Sequence, residues 1–452
     1  MTSTQRALGI LIMFAIAGQT SAGHWPQFRG PAADGIARSD CPLSWDSASN
    51  VRWKVPLAGE GWSCPVVWGD RVFLTAAVRT DQDADGASRP EPYRGGGGRQ
   101  RSDLTEATYR WDVICLDANS GRPIWRQTAR TGSPPLPRHS SNSYATETPV
   151  TDGERVYAYF GMTGLFCYDM AGELQWQKDL GSYRMRAGWG TSSSPVLFEG
   201  KLFLQVDNEE QSFLVALDSE SGEEIWRENR PEPSQYSSPI IWQNSQRNEI
   251  IAGGQVCRAY HPETGKLLWQ LDMSKGRSSA TPLAVGDRLY IGTELRNRGG
   301  SDDGGGFLFA VKPGGNGDIT PPDDATSGPF VDWKIEKSGI QMASPVLCEG
   351  HLYLLERRSG ILHCVNAETG KTAYRTRIPG ARAFWSSPWT SDGKVYCLAD
   401  SGTTFVLDGG EEFEVLSENV IDEQCWSTPA IVDGAIFLRT VDHLYCIEDG
   451  DR

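Results

Sequence analysis

Short runs in which apolar and polar residues alternate, separated by glycine-containing turns, follow one another along almost the whole chain. A period of two marks a strand with one face buried, and runs this short are of strand rather than helix length. The runs are themselves repeated. A small residue followed by proline opens a strand eight times, at Cys64-Pro65, Thr148-Pro149, Ser194-Pro195, Ser238-Pro239, Thr281-Pro282, Ser344-Pro345, Ser387-Pro388 and Thr428-Pro429. Successive prolines lie 84, 46, 44, 43, 63, 43 and 41 residues apart, which is one unit of roughly 43 residues with two long intervals that hold insertions.

Each anchor leads to a turn and a second strand, as in Gly69-Asp70-Arg71-Val72-Phe73-Leu74 and Gly286-Asp287-Arg288-Leu289-Tyr290-Ile291. A third strand ends at an Asp or Asn, as in Cys115-Leu116-Asp117, Ala216-Leu217-Asp218 and Cys364-Val365-Asn366. A glycine turn then delivers a fourth strand that carries a tryptophan, as in Gly121 to Trp125, Gly172 to Trp176, Gly222 to Trp226 and Gly265 to Trp269, with Tyr374 in that place after Gly370. The Asp or Asn side chain is suited to bonding the N–H groups of the next turn, and glycine supplies the positive φ. The indole offers a flat surface for packing one sheet on the next. Four strands per unit predict a blade, and eight anchors predict an all-β, eight-bladed β-propeller of four-stranded antiparallel blades. The last unit ends at Leu444-Tyr445-Cys446-Ile447 without a tryptophan strand, whereas Val51-Arg52-Trp53-Lys54-Val55 precedes the first anchor. The N-terminal strand is therefore predicted to complete the last blade and close the ring, removing open sheet edges.

Composition narrows the class of partner. A formal charge of −15 disfavours nucleic acid and anionic membrane surfaces. Residues 1–22 read as a secretory signal. Arg6 is the single charge, Ala7 to Gly18 is an apolar run of signal-peptide length, and Thr20-Ser21-Ala22 places small residues at a cleavage site. This predicts an exported protein, periplasmic or secreted, with no transmembrane span in the mature chain; an uncleaved N-terminal anchor is the other reading. Residues 23–50 form a lead-in segment and 51–450 a single propeller, with insertions at about 79–110 and 296–330. Of the ten cysteines, Cys115, Cys167, Cys364 and Cys446 share one strand position with Ala216, Ala259 and Ala310. A place that accepts Cys or Ala asks for a small buried apolar group, so these four are expected to be unpaired. For Cys41, Cys64, Cys257, Cys348, Cys397 and Cys425 the sequence leaves the disulfide state open.

The Asp-x-x-Thr/Ser-Gly-x-x-x-Trp element, which stands as Asp117 to Trp125, as Asp218 to Trp226 and in degenerate form as His261 to Trp269, resembles the tryptophan-docking motif of pyrroloquinoline-quinone-type (PQQ-like) propellers. The segments Trp25-Pro26-Gln27-Phe28-Arg29-Gly30-Pro31 and Asn50-Val51-Arg52-Trp53-Lys54-Val55 are similar to exported bacterial members of that superfamily. The resemblance spans residues 24–450 and implies the fold. For function it implies two classes, because the fold serves quinoprotein dehydrogenases and also non-enzymatic scaffolds such as the propeller lipoprotein of the outer-membrane β-barrel assembly machinery. In the dehydrogenases, the resemblance implies, the quinone stacks between a tryptophan and a vicinal disulfide, beside calcium and a catalytic Asp. This chain has no Cys-Cys pair, and no residue maps onto the catalytic Asp or the calcium ligands. It also lacks a nucleophile elbow, a zinc-binding His pair and a phosphate loop. The reading is an exported, non-enzymatic binding or scaffold module of the bacterial cell envelope, whose partner is an envelope protein or peptide, or a small ligand in the channel. The alternative is a divergent PQQ-dependent alcohol or sugar dehydrogenase, with PQQ and calcium as cofactors.

Candidate contact residues follow from the anchors, since the innermost strands should start near the central channel. Three residues before each proline stand Trp62, Thr146, Ser192, Tyr236, Ser279, Met342, Trp385 and Trp426. Trp385, Trp426 and Trp62 belong to blades seven, eight and one. In a closed ring they form an aromatic arc for a flat or apolar ligand or a peptide, or else they pack between blades at the seam. One residue nearer the proline, Glu147 is the lone charge, placed to meet a cation or Arg138, or to face solvent. Arg184, Arg186, Arg277 and Arg382 fall in loops of the same mouth, where they would receive an anion or stand solvated. In the first insertion, Asp81, Asp83 and Asp85, followed by Gly86, have the alternation of a calcium loop. Pro92 occupies the place of the twelfth-position Glu, which leaves a shortened calcium loop or a flexible acidic one. The second insertion, rich in Gly, Asp and Pro, reads as an adaptable loop.

Overall fold

The computed structural model describes residues 23–81, 104–273, 276–277, 279–294, 306–336 and 340–450. Its strands form eight sheets, each with a core of four antiparallel strands, to which two short edge strands are added, one of them parallel. The inner strands start at the eight anchors: Val66–Trp68, Val150–Thr151, Val196–Phe198, Ile240–Gln243, Leu283–Val285, Val346–Cys348, Trp389–Ser391 and Ala430–Val432. Neighbouring inner strands touch around the ring, so that they wall a central channel. The fold is the eight-bladed propeller expected from the repeat.

The closing strand is where the missing tryptophan placed it. Val51–Pro56 pairs antiparallel with His443–Ile447, with Trp53 opposite Cys446. That pairing repeats in the other blades: Cys115 faces Trp125, Cys167 faces Trp176, Ala216 faces Trp226, Ala259 faces Trp269, Ala310 faces Trp333 and Cys364 faces Tyr374. The shared Cys/Ala position is small because it lies beside the docking aromatic. All ten cysteines are buried thiols with no disulfide among them.

Docking joins most blades to the next by three contacts. In blade four the Trp269 N–H turns back to Glu249 of its own blade at 2.6 Å, and blades six and seven carry Tyr374 and Ser417 in place of the indole. The Asp or Asn caps its turn, as where Asp117 Oδ1 accepts the Ser120 N–H at 2.8 Å and Asn366 Oδ1 accepts the Thr369 N–H at 2.9 Å. The preceding blade's indole N–H then donates to the next backbone carbonyl: Trp53 to Ala118 at 2.9 Å, Trp176 to Ser219 at 3.1 Å and Trp333 to Ala367 at 3.1 Å. The turn glycine lies flat on that indole. A Cβ built on Gly121 would sit 2.7 Å from the Trp53 ring, and one on Gly222 would sit 2.7 Å from Trp176. With φ near +70° as well, these positions admit only glycine without strain.

Blade seven has Ser417, opposite Val406, where the others have an aromatic. Trp45 of the lead-in segment covers that place, 6.5 Å from the Tyr396 ring, with its backbone N–H donating to Asn419 Oδ1 at 3.0 Å. Earlier in the same segment, residues 24–37 lie in the channel. His24–Trp25 adds to the channel edge of blade one's inner strand. Pro26 accepts the Thr151 N–H of blade two at 3.0 Å, and Ala37 donates to Thr390 of blade seven at 2.8 Å. Between them Arg29, fully buried, donates to the Pro345 carbonyl of blade six. The lead-in segment is thus a floor that spans the channel and contacts blades on opposite sides. The second insertion is likewise built in where it is described: Gly317–Asp318 pairs with Trp269 and Gln270 of blade four, and Ile319 joins that blade's core. Apolar pairing surface, rather than Gly/Pro content, decides this segment, which is not the adaptable loop its composition suggests; residues 296–305 lie outside the described residues.

Candidate binding site at the channel mouth

The channel wall is held by a hydroxyl relay. The residue before each anchor proline accepts, on its side-chain oxygen, the backbone N–H of its counterpart in the preceding blade. Thr148 Oγ1 accepts from Cys64 at 3.0 Å, Ser194 from Thr148 at 2.9 Å, Ser238 from Ser194 at 2.9 Å, Thr281 from Ser238 at 3.2 Å and Ser344 from Thr281 at 3.0 Å. Ser387 then accepts from Ser344 and Thr428 from Ser387, both at 2.9 Å. At the eighth position the Cys64 thiol stands in for a hydroxyl and meets the Thr428 N–H. The preference for Ser and Thr at the anchor therefore answers a buried N–H that would otherwise lack a partner.

Above this relay the expected aromatic residues come together. Trp62 and Trp426 have ring centroids 4.6 Å apart, and Trp426 stacks on Trp385 at 5.3 Å with an interplanar angle of 16°. The Arg357 guanidinium lies over Trp385 at 4.7 Å, a residue the sequence reading did not single out. Tyr236, on the opposite side, packs at 6.0 Å against Trp189, whose ring meets His139 edge-on at 6.4 Å and carries Arg277 over it at 4.4 Å. Trp189 and His139 lie in loops between blades, outside the repeat register that found the other aromatics. The signal they offered was a tryptophan between glycines, in Gly188-Trp189-Gly190. Arg277 also pairs with Glu294 at 2.8 Å.

Glu147 neither faces solvent nor meets Arg138. It is 2% exposed, its Oε1 has no hydrogen-bond partner, and Arg138 instead bonds Glu60. Burial pushes the Glu147 carboxyl up to about 7, against the opposing pull of the Thr191 hydroxyl. Of the loop arginines, Arg184 is tied to Glu210 at 2.7 Å. Arg382 is exposed and its charge bears on Asp400. Asp81 pairs with Arg79 at 2.7 Å, while Asp83 and Asp85 lie outside the described residues. A cavity of about 410 Å³ opens between blades three and four at Asn208–Ser212 and Asn229–Pro233. Its buried charges are matched, with Arg230 on Asp207 at 2.8 Å and Glu232 on Arg258 at 2.5 Å.

The tryptophan arc itself does not offer a place for a stacked quinone. The faces of Trp426 and Trp385 are taken by each other, by Trp62 and by Arg357, which leaves no slot between flat surfaces. Among the described residues there is also no group of three His, Cys, Asp or Glu side chains arranged to hold a metal ion.

The comparisons agree on architecture. Residues 110–294 match a family model described as outer membrane protein assembly factor BamB. Tetrathionate hydrolase of Acidithiobacillus ferrooxidans is 23% identical over 238 residues, 46% of this chain and 42% of that protein, so the match spans less than half the length of this curated relative. Among solved structures, BamB from Moraxella catarrhalis superposes with a TM-score of 0.54 at 14% identity, over 84% of this chain and 99% of that one. A quinohemoprotein alcohol dehydrogenase from Pseudomonas putida gives 0.55 at 12% identity, over 95% and 81%. A europium-containing methanol dehydrogenase gives 0.57 at 12% identity, over 93% and 90%. These likenesses to solved structures concern the fold. Repeat, docking contacts and fold together make the chain an eight-bladed β-propeller with PQQ-like repeats. No described helix is long and apolar enough to cross a membrane.

Proposed function

We propose that the protein is an exported binding propeller of the bacterial cell envelope, which holds an envelope protein, a peptide or a small ligand at its channel mouth without chemical turnover. The observation that carries this reading is the arc of Trp62, Trp426 and Trp385 capped by Arg357. Tryptophan and arginine presented together on a rigid rim are the residue types that dominate binding surfaces. The floor made by residues 24–37 supports it, because it leaves the mouth as the face open to a partner. The likeness to BamB, an assembly factor, points the same way.

A second reading, a PQQ-dependent alcohol or sugar dehydrogenase, draws on the two dehydrogenase folds that superpose on more than nine-tenths of the chain. One experiment separates the two. Purified mature protein is titrated with PQQ plus calcium and assayed for dye-coupled alcohol and sugar oxidation. In parallel, immobilised protein is incubated with envelope extract, with a Trp385→Ala/Arg357→Ala variant as control. Capture that the double variant abolishes, without quinone binding, supports the binding reading; tight quinone binding with turnover overturns it.

A further inference from the structure

On the side of the mouth opposite the tryptophan arc, three polar groups stand with unused hydrogen-bonding capacity. The Tyr236 hydroxyl is buried and has no partner. The Arg277 Nε–H is also buried and unpartnered, although its Nη2 is held by Glu294 at 2.8 Å. The Arg186 guanidinium makes no hydrogen bond or ion pair to any described residue; its backbone is engaged, the N–H by Ser234 Oγ at 2.9 Å and the carbonyl by the Trp189 N–H at 3.2 Å. Both arginines lie close enough to Tyr236 for their charges to bear on its hydroxyl. Glu209 and Glu294 are the carboxylates nearby. Glu209 Oε1 accepts the Ser234 N–H at 3.1 Å and Glu294 pairs with Arg277 at 2.8 Å, so the two guanidinium and two carboxylate charges around Tyr236 balance, and Arg186 is the cation without an ion pair to a described residue.

The backbone that presents Arg186 is unusual. Ala187 has φ +53° and Gly188 +67°, with Gly190 at +80° two residues on. A non-glycine residue in the left-handed region is strained, and such strain persists where the surroundings over-determine it. Here Asn142 Nδ2 clamps the loop by donating to the Trp189 carbonyl at 2.9 Å and the Thr191 carbonyl at 3.1 Å, and Arg277 lies on the Trp189 ring. The loop is held so that a guanidinium without an ion pair to a described residue, one spare N–H and one phenolic O–H share a corner of the mouth, in a chain whose formal charge is −15. Two guanidinium groups and a phenolic hydroxyl free to donate describe the complement of an oxyanion.

We propose that Arg186, Arg277 and Tyr236 form a site for the oxyanion group of a small ligand, a carboxylate, sulfate or phosphate, at the channel mouth. The proposal deepens the binding reading above and rests on it for the claim that the mouth is the working face. Arg186 supplies the charge, Tyr236 a hydroxyl donor fixed by burial, and Arg277 a second guanidinium whose plane is set by Trp189. Compact oxyanions fit; spherical halides lack the geometry to use three divergent donors.

The test is calorimetry of the mature protein with sulfate, inorganic phosphate and acetate, each against chloride at matched ionic strength. Saturable binding of at least one oxyanion is expected. Arg186→Ala is expected to weaken it about tenfold or more and Tyr236→Phe about threefold, whereas Arg184→Ala, which removes a cation already paired to Glu210, leaves it unchanged. Arg186→Gln serves as a second variant should the alanine disturb the loop, and thermal melts verify that each protein is folded. No saturable binding by wild type, equal binding by both Arg186 variants, or an equal loss in Arg184→Ala would overturn the site. Envelope capture that depends on Trp385 while no oxyanion binds would sink the site and leave the binding reading standing. Oxyanion binding with no captured partner would do the reverse for the protein-partner form of that reading.

Discussion

Glu147 illustrates how a single side chain can tie the mouth to pH. Its carboxyl, raised by burial to about 7, is still protonated in the folded chain at acidities where an unfolded chain has lost the proton. Between about pH 4.5 and about pH 7 the folded state therefore binds more protons, and stability declines as pH rises through that window. Glu147→Gln removes the titration: its melting temperature is expected to match wild type near about pH 4.5 and exceed it at about pH 8. A parallel decline in both proteins would count against the assignment. The anchor hydroxyls make a second prediction. In Ser194→Ala the buried Thr148 N–H loses its acceptor, and a loss of about 1 kcal/mol is expected in denaturant unfolding. Cys64→Ser restores a hydroxyl at the one thiol position and is expected to leave stability equal or higher. The anchor motif was legible in the sequence as a small residue before proline, but its hydrogen-bonding role was not, because the acceptor serves an N–H some 43 residues earlier in the chain. Glu147 misled for a related reason. Sequence register gave its place in the ring, whereas its burial depends on Thr191 and the Gly161 turn, which only packing brings together.

Among the elements, those with strict periodicity were read correctly and those without it were not. The docking tryptophans, their Cys or Ala partners and the closing strand all recur at fixed offsets, so each copy supports the others. Trp189, His139, Arg357 and Trp45 occur once each, in connecting segments, and the repeat held no information about them. The lead-in segment shows the difference in one stretch. Its closing strand was foreseen, whereas its roles as channel floor and as the source of blade seven's aromatic cover were not. Two truncations separate these roles. Removal through residue 47 deletes the floor and Trp45 but keeps the Val51–Pro56 strand, and removal through residue 58 deletes all three. Both are expected to lower the melting temperature, the longer one further. An unchanged curve for the longer truncation would refute closure by this strand. Acid acts on the same seam. Burial alone would raise the Glu423 carboxyl, but Lys54, Thr440, Tyr445 and His443 outweigh it and hold it at about 2. Its contribution is present above about pH 4.5 and is lost as pH falls towards about 2.

For the molecule as a whole, stability rests on repetition rather than on covalent staples. The ten thiols are buried, and desolvation pushes thiols such as Cys115 up to about 12 and Cys364 up to about 11. The melting temperature is therefore expected to be indifferent to reductant, and thiol reagents are expected to label the folded protein only as fast as it opens. A large drop on reduction would reveal a disulfide and contradict the structure. The floor of the channel carries a further consequence, for the order of events during folding. In a linear repeat protein each unit stabilises its neighbour and structure spreads from any start. Here the residues made first, His24 to Trp45, find their partners in blades one, two, six and seven, and the strand that follows them pairs with the last strand of all. A chain still emerging from the ribosome holds Arg29 without its Pro345 acceptor until blade six has arrived, and Trp45 without its Asn419 acceptor until residue 419 has. Completion is thus deferred to the C-terminus: partial chains carry an unfinished sheet edge and an uncovered tryptophan, and the whole ring commits at once.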